Sequence, residues 1–461
     1  MNYPTSMQHR LSHRLSLPVF LAVFCLISAA LTSSASAIDI KRVVSPGGIE
    51  AWLVQDAKVP LLSIKFFFKG GVETDPPGKE GLANLTSTVL DEGAGPYDSE
   101  EFQRRMADNS ISVGFTATTD GFYGGVHTLV ETQDEAVDLA RLALTQPRFD
   151  EEAVERMRRG VLSQIRRDQG DPDFLARRAL YETAFPDHPY GRRARGTIES
   201  VGSITRDDMA AFVRQRFARD NLTVAVTGDI APDQLGPVLD RIFGELPANS
   251  AVKPPTDVVP KGAGETVLVR RPQPQSVVLM SQPGIKRDDP DWFAATVMNY
   301  VLGAGSFSSR LMEEIRTKRG LTYGVYSYLV PFQHTALVMA GGSTANANAG
   351  KMVELMKAEW QKMLDHGVTQ NELDDAKTYL TGSFPLQFTS SSAIADILLQ
   401  VQRDNLGIDY LDRRSGLIEA VTLEDVQRVA KRLLDPAALL TVVVGQPEGI
   451  EPTKTRDDVP S

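Results

Sequence analysis

Two apolar runs, each closed by glycine, recur along this chain at a fixed spacing. Thr223-Val-Ala-Val-Thr-Gly228 aligns with Leu440-Thr-Val-Val-Val-Gly445. Upstream, Ile204-Thr-Arg-Asp-Asp-Met-Ala-Ala-Phe-Val213 aligns with Val421-Thr-Leu-Glu-Asp-Val-Gln-Arg-Val-Ala430. Thr205 to Thr422 and Gly228 to Gly445 are both offsets of 217, so no gap separates the two matches. In each copy the Thr is a natural helix N-cap with acids in the first turn, and the apolar run after the helix predicts a buried strand. Gly93-Ala-Gly95 and Gly303-Ala-Gly305 echo each other near the start of each half and serve only as repeat markers.

Other stretches fill in the halves. Leu61 to Phe68 predicts an apolar strand, and Asp289-Pro290 predicts a helix through Val301 with Asp as N-cap and Pro at the first position. Each half reads as an opening pair of strands, a helix, more strands, a run of helices and a final strand. That is a segregated α+β pattern rather than a wound parallel sheet. Pro247 to Gly264 is rich in Pro, Gly and small residues and lacks periodicity, as a linker does. The expected layout is a leader at 1–37, a first domain at 38–249, a linker at 250–264, a second domain at 265–446 and a flexible polar tail at 447–461.

The first residues read as an export signal. Arg10, His13 and Arg14 form a basic start, Leu15 to Leu31 is largely apolar, and Ala35-Ser-Ala37 offers a cleavage site. Cys25, the only cysteine, makes a poor lipoprotein site because Phe24 precedes it. The expected product is a periplasmic chain with no cysteine and no stable membrane anchor, since no later stretch could span a bilayer. The formal charge of −10 becomes −12 once the two leader arginines are removed, which opposes nucleic-acid binding. The basic run Arg156 to Arg167 reads as the solvated face of a helix.

Chemistry concentrates in Ser309 to Tyr328. Arg310 to Arg319 has helical spacing, Gly320 ends it, and Leu321 to Leu329 alternates like a strand. Arg316 and Tyr323 therefore flank a helix-to-strand turn, where a cation and a phenol could converge on one oxygen. This tract resembles the Arg/Tyr motif in the second half of pitrilysin/insulinase-type zinc peptidases, the inverzincins. In that family the pair holds the substrate carbonyl and the developing oxyanion opposite the zinc. Glu73 to Gly95 resembles the segment in which Gly-x-Ala precedes His-x-x-Glu-His, two zinc ligands and a general base on one helix face. Here those positions hold Asn84, Ser87 and Thr88, and the third-ligand Glu of a later helix is Gln164.

The six His are His9, His13, His127, His188, His334 and His366, and none pairs at helical spacing outside the leader. No other metal site substitutes. The resemblance covers nearly the whole mature chain and implies two homologous α+β domains facing each other as a clamshell half. It further implies a chain inactive alone, like the zinc-less subunit of two-chain bacterial members. Such a chain binds no cofactor itself; the zinc belongs to a similar exported partner with an intact His-x-x-Glu-His. The assembly would be a heterodimer or a dimer of heterodimers acting on peptide substrates, with Arg316 and Tyr323 as substrate-binding and catalytic-support residues. Ser110 to Thr119 and Ala336 to Ser343 predict strands that either border a substrate chamber or are plain sheet edges. Tyr326 and Tyr328 read as packing or groove residues, and His188 as a structural loop residue.

Two other classes stay open. One is a peptide-binding or assembly protein of the same fold without a part in catalysis. The other is a hydrolase of different mechanism, which lacks support because no Gly-x-Ser-x-Gly elbow or cysteine nucleophile occurs.

Overall fold

The computed structural model describes residues 38–457, so the leader and its cleavage site lie outside the described residues. The described residues from Ile40 onward form one compact unit. The first half supplies β1 (Ile40–Val44), β2 (Glu50–Gln55), β3 (Leu61–Lys69), β4 (Ser112–Ala117), β5 (Gly121–Leu129) and β6 (Leu222–Gly228). The second half supplies β7 (Thr266–Arg270), β8 (Gln275–Pro283), β9 (Thr322–Pro331), β10 (Ala336–Ala345), β11 (Leu440–Gly445) and β12 (Lys454–Arg456). They build two six-stranded sheets of matching order, β1-β2-β6-β3-β5-β4 and β12-β7-β11-β8-β10-β9. Helices fill the intervals, as an α+β fold requires.

The repeat is literal. Helices Arg206–Arg216 and Leu423–Leu433 both begin with a capping box, Thr205 on Asp208 and Thr422 on Asp425. Each leads into the central strand whose final glycine, Gly228 or Gly445, has φ of 147° or 148°. A Cβ on Gly228 would lie 2.2 Å from the Leu61 carbonyl oxygen, and one on Gly445 2.6 Å from the Ser276 hydroxyl. Close approach to the neighbouring strand thus requires glycine in both copies.

Each half lends a helix to the other's sheet. Pro172–Ala184, from the first half, buries Leu175, Ala179 and Leu180 against Val442, Val444 and Leu279 of the second sheet. Ser391–Arg403, from the second half, packs on β3 and β6 of the first. Both faces of β3 are therefore covered, which explains why it reads as an unbroken apolar run rather than an alternating one. The two cores differ in filling. The first is aromatic, with Phe68 stacked on Phe217 at 4.6 Å, whereas the second holds Trp360 among Met280, Met352, Met356 and Met363.

Several expectations are corrected. Asp289 does not cap a helix: its carboxylate accepts the Asp291 N–H in a turn, and the helix is Trp292–Asn299, continued as wider turns through Ala304. Residues 447–461 were expected to be loose, yet Lys454–Arg456 adds a strand parallel to β7, occupying the place β1 holds in the other sheet. Ala336–Ala345 lies inside its sheet between β8 and β9, so β9, not β10, is the edge. In the basic run, Arg158 is buried and donates to the Val201 and Ile204 carbonyls, so it is not solvated. A charge run hides such a residue because burial of one Arg depends on carbonyls distant in sequence.

Candidate functional site

The helix at the zinc-ligand positions is short, Leu82–Ser87, entered through Gly81 at φ 93°. No side chain of its own caps it. Instead the Asp75 carboxylate accepts the backbone N–H of Gly81 and Ala83, each at 3.0 Å. Burial pushes the Asp75 carboxyl up to about 7, against the opposing pull of the Arg216 charge and those N–H groups. Leu82, Ala83, Leu85, Thr86 and Ser87 are buried, and Asn84 alone within the helix turns its half-buried side toward the space between the halves.

These residues do not fit zinc. The Ser87 hydroxyl donates to the Asn84 carbonyl and the Thr88 hydroxyl to the Leu85 carbonyl, both at 2.8 Å. Such hydroxyls satisfy their own helix turn and offer neither imidazole nor carboxylate. Gln164, on helix Glu151–Asp168, donates to Asp168 at 2.7 Å and accepts from Arg167 at 2.5 Å. Asp168 in turn pairs with Arg195 at 2.9 Å. Among the described residues no group of three or more His, Cys, Asp or Glu could hold a metal ion.

Arg316 and Tyr323 occupy the corner expected of them. The helical segment is a wide-turned one, Met312–Thr317, and Gly320 leaves it at φ 64° with its N–H on the Arg316 carbonyl. Its charge pattern is local: Lys318 and Arg319 clasp Glu314 and hold its carboxyl down to about 2. Arg316 takes no part in that clasp. Its guanidinium lies 4.5 Å from the centre of the Phe307 ring and has no hydrogen-bond or carboxylate partner among the described residues. Tyr323 is 90 % exposed on the edge strand, with its phenol likewise unpartnered. A bulge between Gly342 and Thr344 of β10 interrupts pairing opposite it. The two residues stand on either side of one turn, Arg316 at the end of the helical segment and Tyr323 at the start of β9, without bonding to each other.

His188 is structural, as expected: it caps the turn Pro189–Gly191 through the Tyr190 N–H and bonds the Thr256 carbonyl through its other nitrogen.

A feature the motif reading passed over lies beside Asn84. A cavity of about 640 Å³ opens between the halves, walled on one side by helix Pro172–Ala184 and on another by Tyr328, Val330 and Phe332. Arg177, Arg178, Arg192, Arg193 and Arg195 line it. The signal was present as two arginine clusters flanking Asp187-His-Pro-Tyr190. What the sequence hides is that they share one space.

The family signature described as "Peptidase M16 inactive domain" matches residues 203–380. A Helicobacter pylori protein named non-peptidase homolog YmxG is 31% identical over 374 residues, covering 81% of this chain and 86% of that protein. The chain belongs to the peptidase M16 family. A Streptomyces coelicolor relative named an uncharacterized zinc protease is 25% identical, with 88% of this chain and 89% of that protein covered. The crystal structure of a peptidase M16 inactive domain from Pseudomonas fluorescens superposes with a TM-score of 0.83 at 26% identity, over 90% of this chain and all of that one. The absence of ligands at Asn84, Ser87, Thr88 and Gln164 fits an inactive M16 domain without catalytic zinc. No helix among the described residues is long and apolar enough to cross a membrane.

Proposed function

We propose that this chain is the non-catalytic subunit of an exported, periplasmic heteromeric zinc metallopeptidase. It lends Arg316 and Tyr323 to the zinc site of a homologous partner with an intact His-x-x-Glu-His. The observation that carries this reading is the contrast between the two halves. Ser87, Thr88 and Gln164 are satisfied within their own helices, whereas the Tyr323 phenol is exposed and the half-buried Arg316 guanidinium, set over the Phe307 ring, has no hydrogen-bond or carboxylate partner among the described residues. A guanidinium and a phenol left without hydrogen-bond partners on either side of one turn are suited to receive charge that develops on a substrate oxygen. Members of this family typically pair with homologous chains, so a second chain is the natural source of the missing half.

In this role Arg316 would hold the substrate carbonyl and Tyr323 would donate to the oxyanion. The zinc, held by the partner, would supply the activated water. The test is to mix the purified chain with a homologous chain bearing His-x-x-Glu-His, then measure co-elution and cleavage of a flexible peptide. Peptide turnover that appears only in the mixture supports the reading; a partner equally active alone rejects it.

The cavity beside Asn84 favours a second reading, in which the chain binds peptide or organises an assembly without entering the chemistry. Under that reading Arg316 and Tyr323 variants would leave turnover unchanged.

A further inference from the structure

The arginines around the inter-half cavity are not equivalent. Arg192 donates to the Asp75 carbonyl at 3.0 Å, Arg195 pairs with Asp168, and Arg178 is bound to Glu182 and the Gly191 carbonyl. Arg177 and Arg193 have no direct hydrogen-bond or ion-pair partner among the described residues, although the Glu182 carboxylate, already bound to Arg178 and Arg456, attracts Arg193 from further away. Arg178 also keeps a buried Nε without an acceptor. Asp168, the carboxylate lining the cavity, is already shared between Gln164 and Arg195. The space therefore carries surplus positive charge with donor capacity unspent. Burial lowers the Arg193 guanidinium and brings Arg178 down to about 10, so both are held partly out of water.

The walls are aromatic and regular. Phe174, Arg177, Arg178 and Tyr181 follow helical spacing along one face of Pro172–Ala184, whose opposite face is packed on the second sheet. Tyr328, Val330 and Phe332 face them at strand spacing. The Tyr181 phenol makes only a weak 3.9 Å contact with the Met339 sulfur. The cavity lies by β9, an edge of the second sheet, and Ala117 and Thr119 bring in the end of β4, an edge of the first. Unpaired strand edges offer hydrogen bonds to an extended backbone.

We propose that this cavity binds the carboxylate of an extended peptide, with Arg177 and Arg193 as its principal ligands and the aromatic walls holding the adjoining apolar residue. An anion completes donors that the protein leaves open, and a planar guanidinium matches a carboxylate bidentately. A cation would find only Asp168 as a lining carboxylate among the described residues, and that group is already engaged by Gln164 and Arg195. The site stands where the metal-side helix has lost its chemistry, so this chain selects peptides by a carboxylate rather than cutting them. The inference rests on the reading of the chain as a peptide-handling subunit, but it needs no partner, so its test is run on the chain alone.

The carboxylate could come from an internal Asp or Glu or from a peptide C-terminus, and three labelled peptides separate these. They share one sequence with a central aromatic residue: one carries Glu and an amidated end, one Gln and an amidated end, one Gln and a free C-terminus. Fluorescence anisotropy at low ionic strength should show at least one carboxylate form binding tenfold or more tighter than the neutral peptide. Arg193→Gln and Arg177→Gln should each abolish most of that preference, while Arg159→Gln, on an exposed helix face, leaves it intact. Thermal melts check that the variants fold. Equal binding of all three peptides by the unaltered chain would overturn the proposal without reference to any variant. So would a preference that survives the Arg177→Gln/Arg193→Gln double substitution. A failure of partner activation in the turnover assay would leave the carboxylate preference in place, so the two readings fail separately.

Discussion

Arg403, at the end of a helix from the second half, donates a hydrogen bond to the Tyr123 phenol on β5 of the first half at 2.6 Å. The same guanidinium pairs at 2.8 Å with Asp404, whose side chain is 4 % exposed. One cation thus ties the exchanged helix to the sheet it covers. Lys65 with Asp396 and Gln402 with the Val224 carbonyl add polar contacts along the same face.

Two substitutions should separate these roles. Tyr123→Phe removes one acceptor from an Arg that keeps Asp404, at a cost of about 1 kcal/mol. Arg403→Leu strands a buried carboxylate and should cost about 3 kcal/mol. Urea denaturation midpoints check the order. Equal losses would mean that the inter-half bond, not the Asp404 pair, carries the stability.

Glu73 gives a pH prediction. Burial, with Asp120 adding repulsion, pushes its carboxyl from an ordinary 4.5 up to about 8, although the Gly71 N–H donates to it. Between those two values the folded chain holds a proton that the unfolded chain has released. Stability therefore falls as pH rises through that window, and the loss is complete above about 8. Glu73→Gln keeps the acceptor but cannot ionise. Its melting temperature should be flatter than the parent's between pH 5.5 and pH 8.5, with its advantage at the alkaline end. Parallel melting curves would show that Glu73 is ionised in the folded state.

Much of this fold is visible in the sequence because the repeat is strict. The 217-residue offset identifies both the capped helix and the glycine-closed strand, and both glycines take the same backbone angle for the same steric reason. The placement of Arg316 and Tyr323 was legible because both flank a local turn closed by Gly320. The exchanged helices were not legible. Leu175 and Ala179 read as an ordinary apolar stripe, and a stripe does not say which sheet it covers. Nor was the cavity, since Arg177 and Tyr328 meet only through that exchange. The Asp289 turn was missed because Asp-Pro and a later Asp291 compete as helix starts; the Asp289 carboxylate spends itself on the Asp291 N–H.

The purified chain should take up no stoichiometric zinc. Asn84→His should not change this, because Ser87, Thr88 and Gln164 still offer no imidazole or carboxylate and zinc needs three protein ligands. Metal analysis after dialysis against dilute zinc is the measurement. One tightly held zinc per unaltered chain would contradict the loss of the site.

Arg316 and Tyr323 distinguish shared catalysis from binding alone. Tyr323 is 90 % exposed and its phenol has no hydrogen-bond partner among the described residues, so Tyr323→Phe should leave folding unchanged. If its phenol donates to an oxyanion, removing that one donor should lower turnover of the reconstituted pair by about 10²-fold. The loss should fall on kcat rather than on complex formation, because the charge develops only in the transition state. Arg316→Ala removes a full charge as well as donors and should be at least as damaging. It also frees Phe307, whose ring the guanidinium covers, so Arg316→Lys is the companion variant: it keeps a charge over the ring but loses the planar fork. Tyr326→Phe, three residues further along β9, is the control and should change turnover little. Unchanged kcat in both Tyr323→Phe and Arg316→Ala, with the complex intact, would exclude a shared active site and leave peptide binding as the role of this chain.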